Sequence, residues 1–173
     1  LDGSKEKWLG ADMYTRVDFS PDGNYVMVMT IEKPFSYLVP FRRFPTKTVI
    51  YTKEGKKVET ILNVPLIEEL PKGFMAVRTG KRNFNWRSDK PATLIYTVAL
   101  DGGDPQKNVK YRDEIFELEA PFSSTGKSIL KTINRFRYIQ WGNDAIAIAH
   151  DYWWNTRNAK SYTFNPSNPS QQP

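Results

Sequence analysis

Three times in this chain an aromatic residue is followed, three positions later, by an aspartate and then by an apolar run. The first copy is Phe19-Ser20-Pro21-Asp22-Gly23-Asn24, leading into Tyr25-Val26-Met27-Val28-Met29. The second runs from Trp86 through Asp89 into Thr93-Leu94-Ile95-Tyr96. The third runs from Trp141 through Asp144 into Ala145-Ile146-Ala147-Ile148-Ala149. Proline presets the first corner of a tight turn, aspartate bonds its own backbone, and glycine accepts a positive φ. The aromatics stand 67 and then 55 residues apart. A unit of that length has room for two hairpins, which is the content of one propeller blade. The expected fold is therefore all-β: a partial β-propeller of about three four-stranded antiparallel blades. They are placed at approximately 16–62, 85–132 and 135–164 of a domain covering 1–164, with a polar, proline-rich tail at 165–173 expected to be disordered.

Local patterns fill in these units. Tyr25 to Ile31 is almost uninterrupted apolar sequence, as in a strand buried on both faces. Pro34, Pro40 and Pro45 cannot sit in a central strand, so 33–45 reads as an aromatic loop. Lys47–Tyr51 and Val58–Leu62 read as a hairpin across Lys53-Glu54-Gly55-Lys56. Residues 63–85 read as a long connection, with a short turn of helix expected between Pro65 and Pro71. Long loops are functional more often than average. Strands are expected at 93–100, 113–118 and 127–132. Leu1-Asp2-Gly3 matches Leu100-Asp101-Gly102 at a predicted turn. The chain is therefore expected to open inside a blade of a longer protein, with 5–9 as an outer strand.

At 173 residues the chain can build a real core, and 14% aromatic content suits packed sheets. It contains no apolar run long enough to span a membrane as a helix. It does not open on a positive-apolar-small pattern, which leaves export of a mature piece open. With no cysteine there is no disulfide and no thiol nucleophile. The net charge of +6 is uneven. From Lys33 to Lys57 seven basic residues face one acidic, and from Lys72 to Lys90 six face one. Such a balance admits nucleic acid, an anionic membrane or an acidic peptide as partner, against the plainer reading of a solvated rim.

Motifs that would carry catalysis are weak. Gly126-Lys127-Ser128 matches the end of a phosphate-binding loop, but position 121 is Pro where that motif needs Gly. His150 is the only histidine, too few for a histidine metal site without cysteines. A triad with Asp151 or Asp144 lacks a nucleophile elbow, so His150 reads as a packed or strand-edge residue. Glu68 and Glu69 are adjacent and point apart on any regular element. Asp22, Asp89 and Asp144 read as turn geometry. Basic and aromatic residues interleave at 41–44, 82–87 and 135–138, a pattern seen in single-strand nucleic-acid binding. Arginine–aromatic stacking within the fold outranks that reading, because no RNA-binding signature accompanies it. No catalytic residue, metal ligand or cofactor is assigned.

Residues 17–122 resemble the N-terminal propeller of serine peptidases of the prolyl oligopeptidase superfamily, and within it the glutamyl endopeptidase branch. The resemblance rests on Val17-Asp18-Phe19-Ser20-Pro21-Asp22-Gly23, Lys33-Pro34-Phe35-Ser36-Tyr37-Leu38-Val39-Pro40 and Arg43-Phe44-Pro45. Ala76-Val77-Arg78-Thr79-Gly80, Trp86-Arg87, Ala99–Pro105 and Tyr111-Arg112-Asp113 add to it. It implies a propeller capping a C-terminal α/β-hydrolase domain that holds the serine, aspartate and histidine. This chain would then be a non-catalytic propeller fragment that gates entry and guides peptide substrate. Bacterial export or a plastid would be its setting, with no membrane partner. Cleavage after glutamate needs a cation for the carboxylate, and arginine suits bidentate contact. The resemblance leaves that cation in either half of the parent. On the propeller side the first candidates are Arg42, Arg43, Arg78 and Arg82, read as loop residues. Three blades cannot close a ring, so the fragment is expected to self-associate through open sheet faces and edges. The alternative is a free-standing β-sheet module that binds an acidic partner.

Overall fold

The computed structural model describes residues 3, 5 and 7–169. The expected opening at Leu1-Asp2-Gly3 falls largely outside them, as does 170–173 of the expected tail. Among the described residues the chain is all-β, with 11 strands in three antiparallel sheets. Its one helical element is a 3-10 turn at Phe41–Arg43. The chain divides into two compact units, 1–68 with 121–123, and 69–120 with 124–173.

The first unit holds one sheet in the order β1 (Tyr14–Phe19), β2 (Tyr25–Ile31), β3 (Thr46–Thr52) and β4 (Lys57–Val64). Each strand pairs with its sequence neighbour, so every connection is a hairpin. The β1–β2 corner forms as its residues dictate. Asp22 accepts from the Asn24 amide at 3.1 Å, and Gly23 sits at φ 71°. Val26, Met27 and Val28 are consecutive and all buried, as a strand covered on both faces requires. Ile50, directly paired with Met27, is also fully buried. Burying one such side chain contributes about 1.5–3 kcal/mol. No helical turn forms between Pro65 and Pro71. Pro65 lacks an amide proton, and the Ile67 amide bonds outward to the Arg43 carbonyl at 2.9 Å instead of along its own segment. Residues 5 and 7–9 form no strand; Trp8 instead donates to the Lys53 carbonyl at 2.8 Å.

The second unit holds two sheets. One runs β5 (Arg82–Trp86), β6 (Thr93–Ala99), β7 (Asp113–Glu119) and β8 (Lys127–Thr132). The other runs β9 (Arg135–Asn143), β10 (Ile146–Trp153) and β11 (Asn158–Phe164). The third sheet therefore carries three strands where four were expected. After Phe164 the side chain of Asn165 accepts from the Ser167 and Asn168 amides, turning the chain away from a further strand. The core between these sheets is Ile95, Ile115, Ile129, Leu130, Phe136 and Phe164, with Ala147 and Ala149 of β10. The two alanines are two apart and share a face, and their small size lets the sheets approach.

The three aromatic-then-aspartate corners occupy equivalent places, each joining the first strand of a sheet to its second. They do not share chemistry. Asp89 pairs with Arg87, and at the third corner Asn143, not Asp144, accepts from the Ala145 and Ile146 amides.

Candidate functional site

Two basic segments were singled out in the sequence, and each lies within one unit. In the first unit the 33–45 loop is open to solvent. Tyr37, Leu38 and Phe41 are exposed, and Phe35 stacks on Phe44 at 5.6 Å. Arg42 and Arg43 sit on the 3-10 turn, with none of its residues buried. Arg43 Nη1 reaches the Glu68 carbonyl at 3.5 Å. A groove of about 440 Å³ beside this loop is lined by Lys33, Pro45, Lys47, Asn63 and Leu66, among others.

In the second unit the strap 72–81 leads into β5. Its backbone is pinned at three points. The Val77 amide donates to the Gly103 carbonyl at 3.1 Å, Arg135 Nε donates to the Met75 carbonyl at 2.9 Å, and Gly73 lies against the Pro105 ring. Arg78, half-buried on this strap, donates to the carbonyls of Thr79, at 2.9 Å, and Lys81. Burial, and then the neighbouring charge of Arg82, holds its guanidinium below the usual arginine value.

Arg82 is not a loop residue. It opens β5, is 7% exposed, and pairs with Asp113 on β7. Its basic neighbours suggested a solvated loop, yet the carboxylate that draws it inward lies 31 residues further on. Arg135 bridges Asp113 at 3.0 Å and Asp101 at 2.7 Å, and Arg112 also holds Asp101 at 2.9 Å. The Arg112 guanidinium covers the Trp153 ring at 3.9 Å. Both carboxylates are buried. None of Asp101, Arg112, Asp113 and Arg135 was a candidate from the sequence. The signal available was the Tyr111-Arg112-Asp113 run, but its partners are distant in sequence.

His150 makes no triad. Nδ1 meets Ser161 Oγ at 2.9 Å, Nε2 meets Gln140 Oε1 at 3.2 Å, and the ring stacks on Tyr138 at 4.5 Å. Asp151 points to the other face of β10, where it accepts from the Asn134 amide, Asn134 Nδ2 and the Tyr162 hydroxyl. Gly126-Lys127-Ser128 forms the corner entering β8. Gly126 lies against the Tyr96 hydroxyl and the Glu117 carbonyl, where no phosphate could enter.

No family model matches the chain. Two plant proteins do. One from Oryza sativa subsp. japonica, named "Probable glutamyl endopeptidase, chloroplastic", is 34% identical over 163 residues, 93% of this chain. One of the same name from Arabidopsis thaliana is 33% identical over 175 residues, 100% of this chain. The chain is similar to a stretch of glutamyl endopeptidase-like proteins. It spans only 17% and 18% of the length of these two relatives. The similarity therefore supports a fragment of such a protein. Among the described residues no helix is long and apolar enough to cross a membrane.

Proposed function

We propose that this chain is a non-catalytic, propeller-type portion of a serine peptidase of the prolyl oligopeptidase superfamily, glutamyl endopeptidase branch. It gates access to the active site and guides peptide substrate. The observation that supports this most directly is similarity along essentially the whole chain to about one sixth of two proteins named for glutamyl endopeptidase activity. The three hairpin-connected sheets are of the kind that propeller blades use. The partner in the parent is a C-terminal α/β-hydrolase domain carrying the nucleophile. The setting is a plastid or an exported compartment. Arg42, Arg43 and Arg78 are the cations that remain available to substrate carboxylates, whereas Arg82 is committed to Asp113.

The test uses the parent protein and this chain side by side. Diisopropyl fluorophosphate labels the parent and leaves the 173-residue chain unlabelled. The parent cleaves a peptide after glutamate, and the chain does not. Labelling of the isolated chain, or a parent gene without a nucleophile elbow, defeats the reading. A second reading, a free-standing module for an acidic partner, is favoured by the concentration of arginine around the strap 72–81. Salt-sensitive binding to an acidic peptide by a natural protein lacking any hydrolase domain would establish it.

A further inference from the structure

The edge strand β1 joins outward-turned backbone to exposed apolar side chains. It has β2 on one side only. After a register shift between Tyr14 and Arg16, its ladder with β2 is regular from Arg16 to Phe19. The Ser20 amide donates to the Tyr25 carbonyl at 2.9 Å, so the backbone groups of Ser20 face β2. Such groups alternate between the two sides of an antiparallel strand. Those of Arg16 and Asp18 therefore face β2 as well, and Val17 and Phe19 turn their N–H and C=O groups outward. Val17 and Phe19 are 49% and 65% exposed, although the residues they oppose on β2, Val28 and Val26, are buried. An apolar face that is covered on β2 thus runs out uncovered onto β1.

An open edge of this kind pairs with another strand unless lysine, proline or irregular backbone blunts it. Other edges are blunted. β8 carries Lys127 and Lys131, β11 carries Lys160, and Asn83 interrupts the β5 ladder at φ 56°. β1 has neither lysine nor proline, and its charges are Arg16 and Asp18, which pair along the strand. These two charges also select a partner. A two-fold axis at Val17 sets Arg16 of each strand opposite Asp18 of the other, and Val17 opposite its own counterpart. Only the outward groups can bond across, so the strands slip in steps of two residues. The next registers centre on Arg16 or on Asp18 and set like charges face to face, which is destabilising.

We propose that the chain forms a two-fold dimer in which β1 pairs antiparallel with β1 of a second copy about Val17. Such pairing gives a definite place to the self-association expected of open sheet edges, and it needs nothing from the peptidase reading. Val17 exchanges both backbone hydrogen bonds with its counterpart, and two four-stranded sheets become one of eight. Phe19 lies diagonally beside the second copy's Val17, so the uncovered apolar face is shared across the seam. On the opposite face Arg16 and Asp18 of both copies form a ring of alternating charge. The contact is isologous, so it closes at two copies instead of growing into a fibre. A seam this short falls below the roughly 1,200 Å² of a stable interface, which makes the dimer a weak one.

The test is sedimentation equilibrium of the 173-residue chain, with cysteine cross-linking to read the register. At high chain concentration a monomer–dimer equilibrium without larger species is expected. Asp18→Arg sets arginine against arginine at both symmetric contacts and should weaken the dimer about tenfold. Adding Arg16→Asp restores opposite charges and should recover the association, which separates a lost contact from a lost fold. The chain has no cysteine of its own. Under mild oxidation Val17→Cys should cross-link to itself, because a directly bonded antiparallel pair holds its Cα atoms about 5.5 Å apart, within disulfide reach. Arg16→Cys should cross-link poorly alone and readily when mixed with Asp18→Cys. A single monomeric species at the highest concentration reached overturns the proposal, as does growth beyond the dimer. So does association that Asp18→Arg leaves unchanged, or a double variant that melts like the unaltered chain yet stays monomeric. Cross-linking of Val17→Cys no faster than that of Arg16→Cys overturns the register and the dimer with it.

Discussion

The Arg87 guanidinium lies over the Trp141 indole at 4.0 Å, joining the first corner of one sheet to the first strand of the next within the second unit. Arg87 is fully buried. It forks onto Asp89 at 3.1 and 2.7 Å and reaches Glu117 at 2.6 Å. The arrangement explains why an arginine follows the aromatic at this corner: it closes the turn through Asp89 and fills the space under Trp141. Arg87→Met retains much of the volume but leaves Asp89 without its cation and Glu117 with only the exposed Lys127 ammonium at 3.6 Å. Removing one partner of a buried pair costs about 3–5 kcal/mol, so the urea midpoint should fall steeply in this variant. A midpoint within error of the parent chain would show that the network contributes nothing to stability.

Tyr162 predicts an alkaline limb. Burial, followed by its bond to Asp151 at 2.7 Å, pushes the phenol above its ordinary value near 10. A raised value in the folded state means that the unfolded chain loses this proton first. The stabilisation is complete below about pH 10 and is lost as pH rises from there towards the folded value. Tyr162→Phe is expected to lose roughly 0.5–1.5 kcal/mol near neutrality with its hydrogen bond. Its stability should then fall less steeply with alkali than that of the parent chain, as followed by denaturant midpoints. Parallel curves for the two chains would contradict the assignment.

Asp22 acts in the opposite direction. The Ser20 hydroxyl at 2.5 Å is the main cause that holds its carboxyl below the usual range; desolvation opposes this, and the Asn24 amide adds to the lowering. A depressed folded value stabilises above the unfolded value and is lost as pH falls through the folded one. The contribution should therefore disappear as pH drops below about 4. Asp22→Asn removes that part of the acid limb, and thermal melts at mildly and strongly acidic pH measure it.

The strands were readable because their causes are local. Apolar runs such as Tyr25 to Ile31 and breakers such as Pro21-Asp22-Gly23 act over a few residues, so hairpins follow from neighbouring sequence alone. The arginines were not readable in the same way. Arg82 looked exposed among Lys72, Arg78 and Lys81, and only the pairing of β5 through β6 to β7 brings Asp113 to it. The same holds for Arg87, whose indole lid comes from β9. Charge runs report composition, whereas burial depends on which distant carboxylate the sheet order delivers. The third corner shows the converse error: Asp144 matches the repeat in sequence, but the neighbouring Asn143 makes the turn bonds.

Gly103 fixes the strap that carries Arg78, one of the cations proposed above to meet substrate carboxylates. It sits at φ 81°, where a side chain is strained, and a Cβ there would run into the Val77 carbonyl oxygen. Its own carbonyl accepts from the Val77 amide, and its amide bonds Asp101 at 2.9 Å. Alanine at this position therefore has two costs, the backbone conformation and the displaced strap. Together they should exceed about 1 kcal/mol. The displacement has a readout that stability alone does not give. Once Val77 moves, Arg78 loses its fixed place beside Arg82, while Arg82, Arg112 and Arg135 keep their carboxylates. Gly103→Ala should thus weaken discrimination between glutamate and glutamine peptides more than Gly102→Ala does. Gly102 is also at positive φ, but a Cβ there meets only the mobile end of Lys107 at 3.2 Å. Equal loss of discrimination in the two variants would detach the strap from carboxylate binding.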